Sequence, residues 1–158
     1  MHKADLLRVF TKERAQFQIL EAGFGAGEKL FAACTCWQAV AKQGTRLHYL
    51  AIEPHPLTRA QLREKLADKF SAPEKLAAIA RQLIAHWPPA IEGFHTLELA
   101  PDLLLTLVFG EPAKYLPEIV GAFDLIYVEP SLITSSQLAG RAALSPQQAI
   151  VVGAGIAG

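Results

Sequence analysis

Two spacings of apolar residues alternate along the chain. Short runs read as buried strands: "FQILEAG" (Phe17 to Gly23), "RLHYLAIEP" (Arg46 to Pro54), "LLLTLVFG", "FDLIYVEP" (Phe123 to Pro130) and "AIVVGAG" from Ala149. Between them lie helical spacings. "GEKLFAACTCWQAVAKQG" sets Leu30, Phe31, Cys34, Trp37 and Val40 on one side, with Gly44 as the stop. "LTRAQLREKLADKF" follows as a helix. "SAPEKLAAIARQLIAHW" gives one apolar face from Leu76, Ile79, Ala80, Leu83, Ile84 and Trp87. Ser71 and Glu74 are spaced as a capping box, Pro73 suits a first turn, and Pro88-Pro89 ends the helix. "FHTLELAPDLLLTLVFGEP" reads as a hairpin-like pair, "AKYLPEIVG" as a short helix, and "SSQLAGRAALSPQQ" as a weak helix or linker. This succession predicts an α/β fold: a mostly parallel sheet with helices on both faces, binding ligands at the carboxyl ends of its strands.

Composition narrows the function. The 158 residues make one domain, and 51% hydrophobic content suffices for a core. Fifteen basic and fifteen acidic residues cancel. Bulk charge therefore gives no case for non-specific nucleic-acid binding, though it leaves a local basic patch open. No apolar run reaches the roughly 18 residues of a membrane span, and "MHKADLLRVF" lacks a secretion signal. A cytoplasmic protein without a membrane partner is expected. Cys34 and Cys36 are two positions apart on a helix and do not face each other. They read as buried or half-buried free thiols, not as a disulfide or a metal site.

The chemistry concentrates in glycine loops and strand ends. The first loop, "EAGFGAGEKLF", carries Glu21, Gly23, Gly25 and Gly27. A dinucleotide fingerprint starting at Gly23 wants glycine or alanine at position 28, where this chain has Glu28. A carboxylate at the helix start repels a pyrophosphate. The spacing suits E/D-x-G-x-G-x-G, the loop of class I methyltransferases, whose S-adenosylmethionine carries no phosphate. Glu53 ends the second strand, where a carboxylate accepts both ribose hydroxyls; dinucleotide folds share this feature. Gly110 and Glu111 end the third sheet strand, and Glu129 ends the next. Each acid also has a structural reading: Glu21 as a solvated strand end, Glu53 as a turn acid before Pro54, Glu111 and Glu129 as acids before proline, Glu111 capping the next helix. Asp124 reads as structural at a strand start. A second loop, "AIVVGAGIAG", has the G-x-G-x-x-G spacing at Gly153, Gly155 and Gly158.

Several stretches resemble a known family. "FQILEAGFGAGEKLFAACTCWQAV", "LHYLAIEPHPLTRAQL", "AAIARQLIAHWPPAIEGFHTLEL", "LTLVFGEPAKYLPEI" and "FDLIYVEP" are similar to successive segments of the methyltransferase half of the bifunctional tRNA 5-methylaminomethyl-2-thiouridine biosynthesis proteins. "HPLTR" and "WPP…GFH" are the most telling, because generic methyltransferases lack them. The similarity runs from Phe17 to Glu129. It implies a class I methyltransferase-like (Rossmann-like) sheet, incomplete at the C-terminal side. It implies methylation of the exocyclic amine of 5-aminomethyl-2-thiouridine at the tRNA wobble position, with S-adenosylmethionine as donor and tRNA as partner. The cofactor would lie over Glu21, Gly23, Gly25 and Gly27, with Glu53 on the ribose, Glu111 on the adenine, and Glu129 as the catalytic acid-base group. The family's second half is FAD-dependent, and "AIVVGAGIAG" looks like its first strand and loop.

The departures are specific. The family's loop runs G-F-G-T-G-L-N-F, so Ala26 replaces threonine and Lys29 replaces asparagine. Glu111 and Glu129 stand where the family has aspartate, and the G-F-A-P-x-x-N-P loop is replaced by "PSLITSSQLAG". The expected division is therefore a methyltransferase-like core over 1–130, a linker or short helix over 131–148, and 149–158 as the stub of an FAD-binding domain or an added strand beside "FDLIYVEP". An exposed sheet edge would favour a homo-oligomer. Two alternatives stand beside the methyltransferase reading: a non-catalytic relative that keeps the fold, and an FAD- or NAD-dependent oxidoreductase fragment.

Overall fold

The structure is a computed structural model and describes residues 3–128 and 149–152. Its elements in chain order are α1 (Lys3–Phe10), β1 (Gln16–Ala22), α2 (Glu28–Val40), β2 (Arg46–Glu53), α3 (Arg59–Lys65), a 3-10 turn (Ala67–Ser71) and α4 (Glu74–Ala85). There follow β3 (Gly93–Ala100), β4 (Leu103–Phe109), α5 (Pro112–Tyr115), a second 3-10 turn (Leu116–Glu118), β5 (Leu125–Val128) and β6 (Ala149–Val152). The six strands form one sheet in the order β3-β4-β2-β1-β5-β6. All neighbours pair parallel except β3, which forms an antiparallel hairpin with β4. This is the α/β, mostly parallel arrangement the strand-helix alternation predicts. The final apolar run pairs in register with β5, from Leu125↔Ala149 to Val128↔Val152.

Alternation along the strands builds two cores. Phe17 and Ile19 of β1, Leu47, Tyr49 and Ala51 of β2, and Leu103, Leu105 and Leu107 of β4 point to one face. There they meet α1, α2, α3 and α4 through Leu6, Leu30, Leu62, Leu83 and their neighbours. Leu20, Leu50, Ile52, Val108 and Ile126 point the other way, against Tyr115, Leu116, Ile119 and Phe123. Helices thus occupy both faces, but unequally: four lie on the first, and among the described residues only α5 and its 3-10 extension lie on the second. Cys34 and Cys36 are free and buried. No helix among the described residues is long and apolar enough to cross a membrane.

Local chemistry departs from the sequence pattern in three places. Residues 3–10, to which the pattern gives no element, form α1, with Leu6, Val9 and Phe10 buried and Phe10 edge-on to Phe17. The capping box expected at Ser71 and Glu74 does not form. Ser71 lies in the 3-10 turn and donates to the Asp68 carbonyl, Glu74 pairs with Arg81, and α4 has Pro73 before its first residue and no side-chain cap. The box appears instead at α3, where the Thr58 hydroxyl accepts from the Gln61 N–H and the Gln61 side chain accepts from the Thr58 N–H. Leu57–Phe70 is also not one helix, because α3 tightens to 3-10 geometry after Lys65.

Asp124 is structural, as expected. Buried just before β5, it accepts from the Gln18 N–H at 2.9 Å through Oδ2 and pairs with Arg14 through Oδ1. Its own N–H donates to the Gln18 carbonyl, so one residue fixes the register between β1 and β5. Asp124→Ala is expected to lower stability by about 2–3 kcal/mol in urea denaturation, with Asp124→Asn losing less because it keeps an acceptor for Gln18. Equal losses in the two variants would remove that hydrogen bond as the cause.

Candidate functional site

The carboxyl ends of β1, β2, β4 and β5 lie side by side: Ala22 is level with Ile52 and Val128, and Glu53 with Phe109. The chain moves to one side of β1 for β2 and β4, then returns to the other side for β5. The loop after β1 therefore sits at the switch point, where open α/β sheets bind ligands.

Glycine lets that loop fold tightly. Gly23, Gly25 and Gly27 have φ of 97°, 60° and 85°. At Gly27 a Cβ would also come within 3.0 Å of the Phe24 ring, so backbone and space both demand glycine before α2. The Gly23 N–H donates to the Ile52 carbonyl at 2.7 Å, tying the loop to β2. The exposed Glu28 opens α2 and places its carboxylate over Gly25, whose Cβ position is 3.2 Å from Glu28 Oε2. Negative charge thus occupies the helix N-terminus where a pyrophosphate would bind.

Glu53 completes the site from β2. Its Oε1 accepts from the Gly25 N–H at 2.8 Å and its Oε2 from the His55 N–H at 3.3 Å, while its carbonyl accepts from the Gly110 N–H at 3.0 Å. A carboxylate has about four lone-pair sites. These two backbone bonds leave capacity for a diol. Gly110 has φ 152°, and a Cβ there would collide with the Tyr115 ring, so the turn at the end of β4 requires glycine. Glu111 follows it, exposed at the start of α5, and its side chain makes no capping bond. Glu129, the expected catalytic acid-base group, lies outside the described residues, as do Gly153, Gly155 and Gly158 and the 131–148 segment.

No protein-family profile matches the chain. The tRNA 5-methylaminomethyl-2-thiouridine biosynthesis bifunctional protein MnmC of Aromatoleum aromaticum is 36% identical over 142 residues, which is 84% of this chain and 22% of that protein. MnmC of Paraburkholderia phytofirmans is 37% identical over 117 residues, 73% of this chain and 18% of that protein. The chain is a relative of the bifunctional MnmC proteins. It spans about a fifth of their length. In fold it is similar to MnmC2 from Aquifex aeolicus, with a TM-score of 0.55 at 20% identity over 85% of this chain and 40% of that one.

The two stretches most telling for MnmC meet behind the loop. Trp87 donates its indole N–H to the Leu57 carbonyl at 2.8 Å, and Arg59 donates to the Trp87 carbonyl at 3.1 Å. The Trp87 ring stacks on Phe24 of the glycine loop at 5.9 Å and packs on Phe109 at 5.7 Å; the His95 ring is tilted against Phe109 at 4.9 Å. "HPLTR" and "WPP…GFH" therefore form an aromatic buttress for the loop. Their sequence shows only helix and strand ends, and gives no sign of this shared task.

Glu21 is not the solvated strand end of its bland reading. It is 1% exposed, under the start of α2, and neither carboxylate oxygen closes a hydrogen bond. The Tyr49 hydroxyl faces it without normal hydrogen-bond geometry, and Lys29 Nζ is 3.8 Å from Oε2. Burial pushes the Glu21 carboxyl up to about 8, with Lys29 pulling in the opposite direction. Sequence reasoning counts Lys29 only as a departure from the family loop. The readable signal is a cation in the first turn of a helix, against the dipole.

Because the folded carboxyl holds its proton from about pH 4.5 to about 8 while the unfolded one has released it, the folded state binds more protons across that window. Stability is then full below about pH 4.5 and falls as pH rises towards 8, by at most about 1.4 kcal/mol per pH unit. Urea denaturation at pH 5, 6, 7 and 8 should show the decline, and Glu21→Gln should flatten it. An unchanged slope in that variant would assign the effect elsewhere.

Proposed function

We propose that the loop after β1 binds S-adenosylmethionine and that the chain is the methyltransferase part of an MnmC-type enzyme, acting on the aminomethyl group of 5-aminomethyl-2-thiouridine in tRNA. The observation that carries this reading is the placing of Glu28 over Gly25, the glycine whose N–H donates to a Glu53 that retains hydrogen-bonding capacity. A loop with a carboxylate at its helix N-terminus opposes a dinucleotide pyrophosphate and tolerates a phosphate-free nucleoside. The kinship with MnmC supports the choice of substrate.

When bound, S-adenosylmethionine supplies an electrophilic methyl group on its sulfonium. The chain's own residues have the tasks of holding and orienting. Gly23, Gly25 and Gly27 let the nucleoside approach the backbone, Glu53 takes the ribose hydroxyls, and Glu111 stands free at the β4 end for the adenine amino group. Proximity and alignment of donor and acceptor contribute most of the rate in such a displacement. Glu129 takes the proton that the acceptor amine must lose.

Calorimetry with S-adenosylhomocysteine tests binding, and methyl incorporation into undermodified tRNA tests turnover. Binding without turnover would favour the non-catalytic relative, and binding of FAD or NAD alone would overturn the reading. Glu53→Ala is expected to weaken S-adenosylhomocysteine at least tenfold, roughly the worth of one charged hydrogen bond. Glu53→Gln, which keeps an acceptor for Gly25, separates loop folding from ribose binding. Unchanged affinity in both variants would take Glu53 out of the site.

A further inference from the structure

Lys29 is the site residue that the proposed function leaves without a task. It lies in the first turn of α2, where a cation opposes the helix dipole, and it is 7% exposed. Burying an ammonium costs hydration, so such a lysine needs a compensating anion. Glu21 is an acid beside it, at 3.8 Å, buried with both oxygens making no hydrogen bond, and Lys29 draws against the burial that favours its neutral form. An acid with both oxygens unbonded, at the strand end that opens into the glycine loop, has room for a cation, which would draw it towards its charged form.

A ligand with an adenosyl end on the loop and a free ammonium at its other end would bring such a cation. Lys29 already supplies one, on a flexible four-carbon stem. We propose that Lys29 is a built-in occupant of the cation subsite at Glu21, so that the site selects the nucleoside and thioether part of its ligand and draws little affinity from the amino-acid end while Lys29 stays in place. This rests on reading the loop as an S-adenosylmethionine site. It assigns Lys29 a role in specificity that asparagine, found there in the family, does not supply.

Two ligands separate the parts. S-adenosylhomocysteine has the amino-acid end; 5′-methylthioadenosine has the same nucleoside and thioether without it. Calorimetry on the full chain is expected to give affinities within about threefold of each other for the wild type. In Lys29→Met, S-adenosylhomocysteine should gain about tenfold or more while 5′-methylthioadenosine stays unchanged, as expected for one charge-assisted hydrogen bond. In Glu21→Gln/Lys29→Met the gain should vanish, because the coupling needs Glu21. Should Lys29→Met fail to fold, Lys29→Asn repeats the comparison.

The proposal is overturned if the wild type already prefers S-adenosylhomocysteine by about tenfold. It is also overturned if Lys29→Met changes both ligands alike, which is a structural effect, or if the double variant keeps the gain. Binding of 5′-methylthioadenosine with no gain for S-adenosylhomocysteine sinks this inference and leaves the cofactor reading standing. No binding of either ligand by any variant sinks both.

Discussion

The Glu53 side chain and backbone hold three strand ends in one place. Its carboxylate draws in the Gly25 N–H from the loop after β1 and the His55 N–H from the turn after its own strand, while its carbonyl takes the Gly110 N–H at the end of β4. Hydrogen bonds to a charged acceptor are among the stronger ones, and this acceptor is 8% exposed. The loop's positive φ values have an energetic counterpart in these bonds: glycine makes the conformation accessible, and Glu53 selects it from the others accessible to glycine. A ligand that bonds to Glu53 thereby meets a loop already in position.

The aromatic buttress supplies the other half of that rigidity. Phe24 projects from the loop onto Trp87, whose ring is held from behind by Phe109 and whose indole N–H is fixed on the Leu57 carbonyl. The polar side of the loop is thus bound by Glu53 and its apolar side by Trp87, two residues far apart in sequence. This explains how stretches that look like ordinary helix and strand ends can mark a family: they are shaped by one loop and by each other. On the second face of the sheet, the Tyr115 ring of α5 fills the space that a Cβ at Gly110 would need, and so keeps glycine at the turn after β4.

The central strands are readable in the sequence because they are buried on both faces. "FQILEA", "LHYLAI" and "LLTLVF" have no polar alternation to confuse with a helix, and Gly or Glu marks each end. The position of Glu53 is readable for the same reason, since it closes an apolar run. Glu21 is readable as a position but not as an environment: nothing along the chain says that Tyr49 and Lys29 will shut it away from water. The failed capping box at Ser71 has a simple cause. The chain after Lys65 tightens into a 3-10 turn, the Ser71 hydroxyl goes to Asp68, and Pro73 precedes α4 without it. The first helix lacks a strong signal because it is short, and its buried Leu6, Val9 and Phe10 gain their meaning from α2 and β1.

The two glycine motifs show how much of a fingerprint lies outside its glycines. An apolar run followed by G-x-G suits any parallel strand whose end must turn sharply, and both "FQILEAGFG" and "AIVVGAG" begin in that way. What distinguishes ligands is charge beyond the turn. Around the first loop stand Glu21, Glu28 and Glu53, with Lys29 in the same shell. Carboxyl groups at the helix start and at the end of β2 oppose a phosphate there, a polarity opposite to that of a dinucleotide site. "AIVV" in turn serves the sheet whatever follows it. Paired with Leu125–Val128, it satisfies the outer backbone groups of β5, which as an open edge would be free to pair with another chain. A strand can meet that need with its apolar residues and its backbone alone, so its position in this sheet carries no information about a nucleotide.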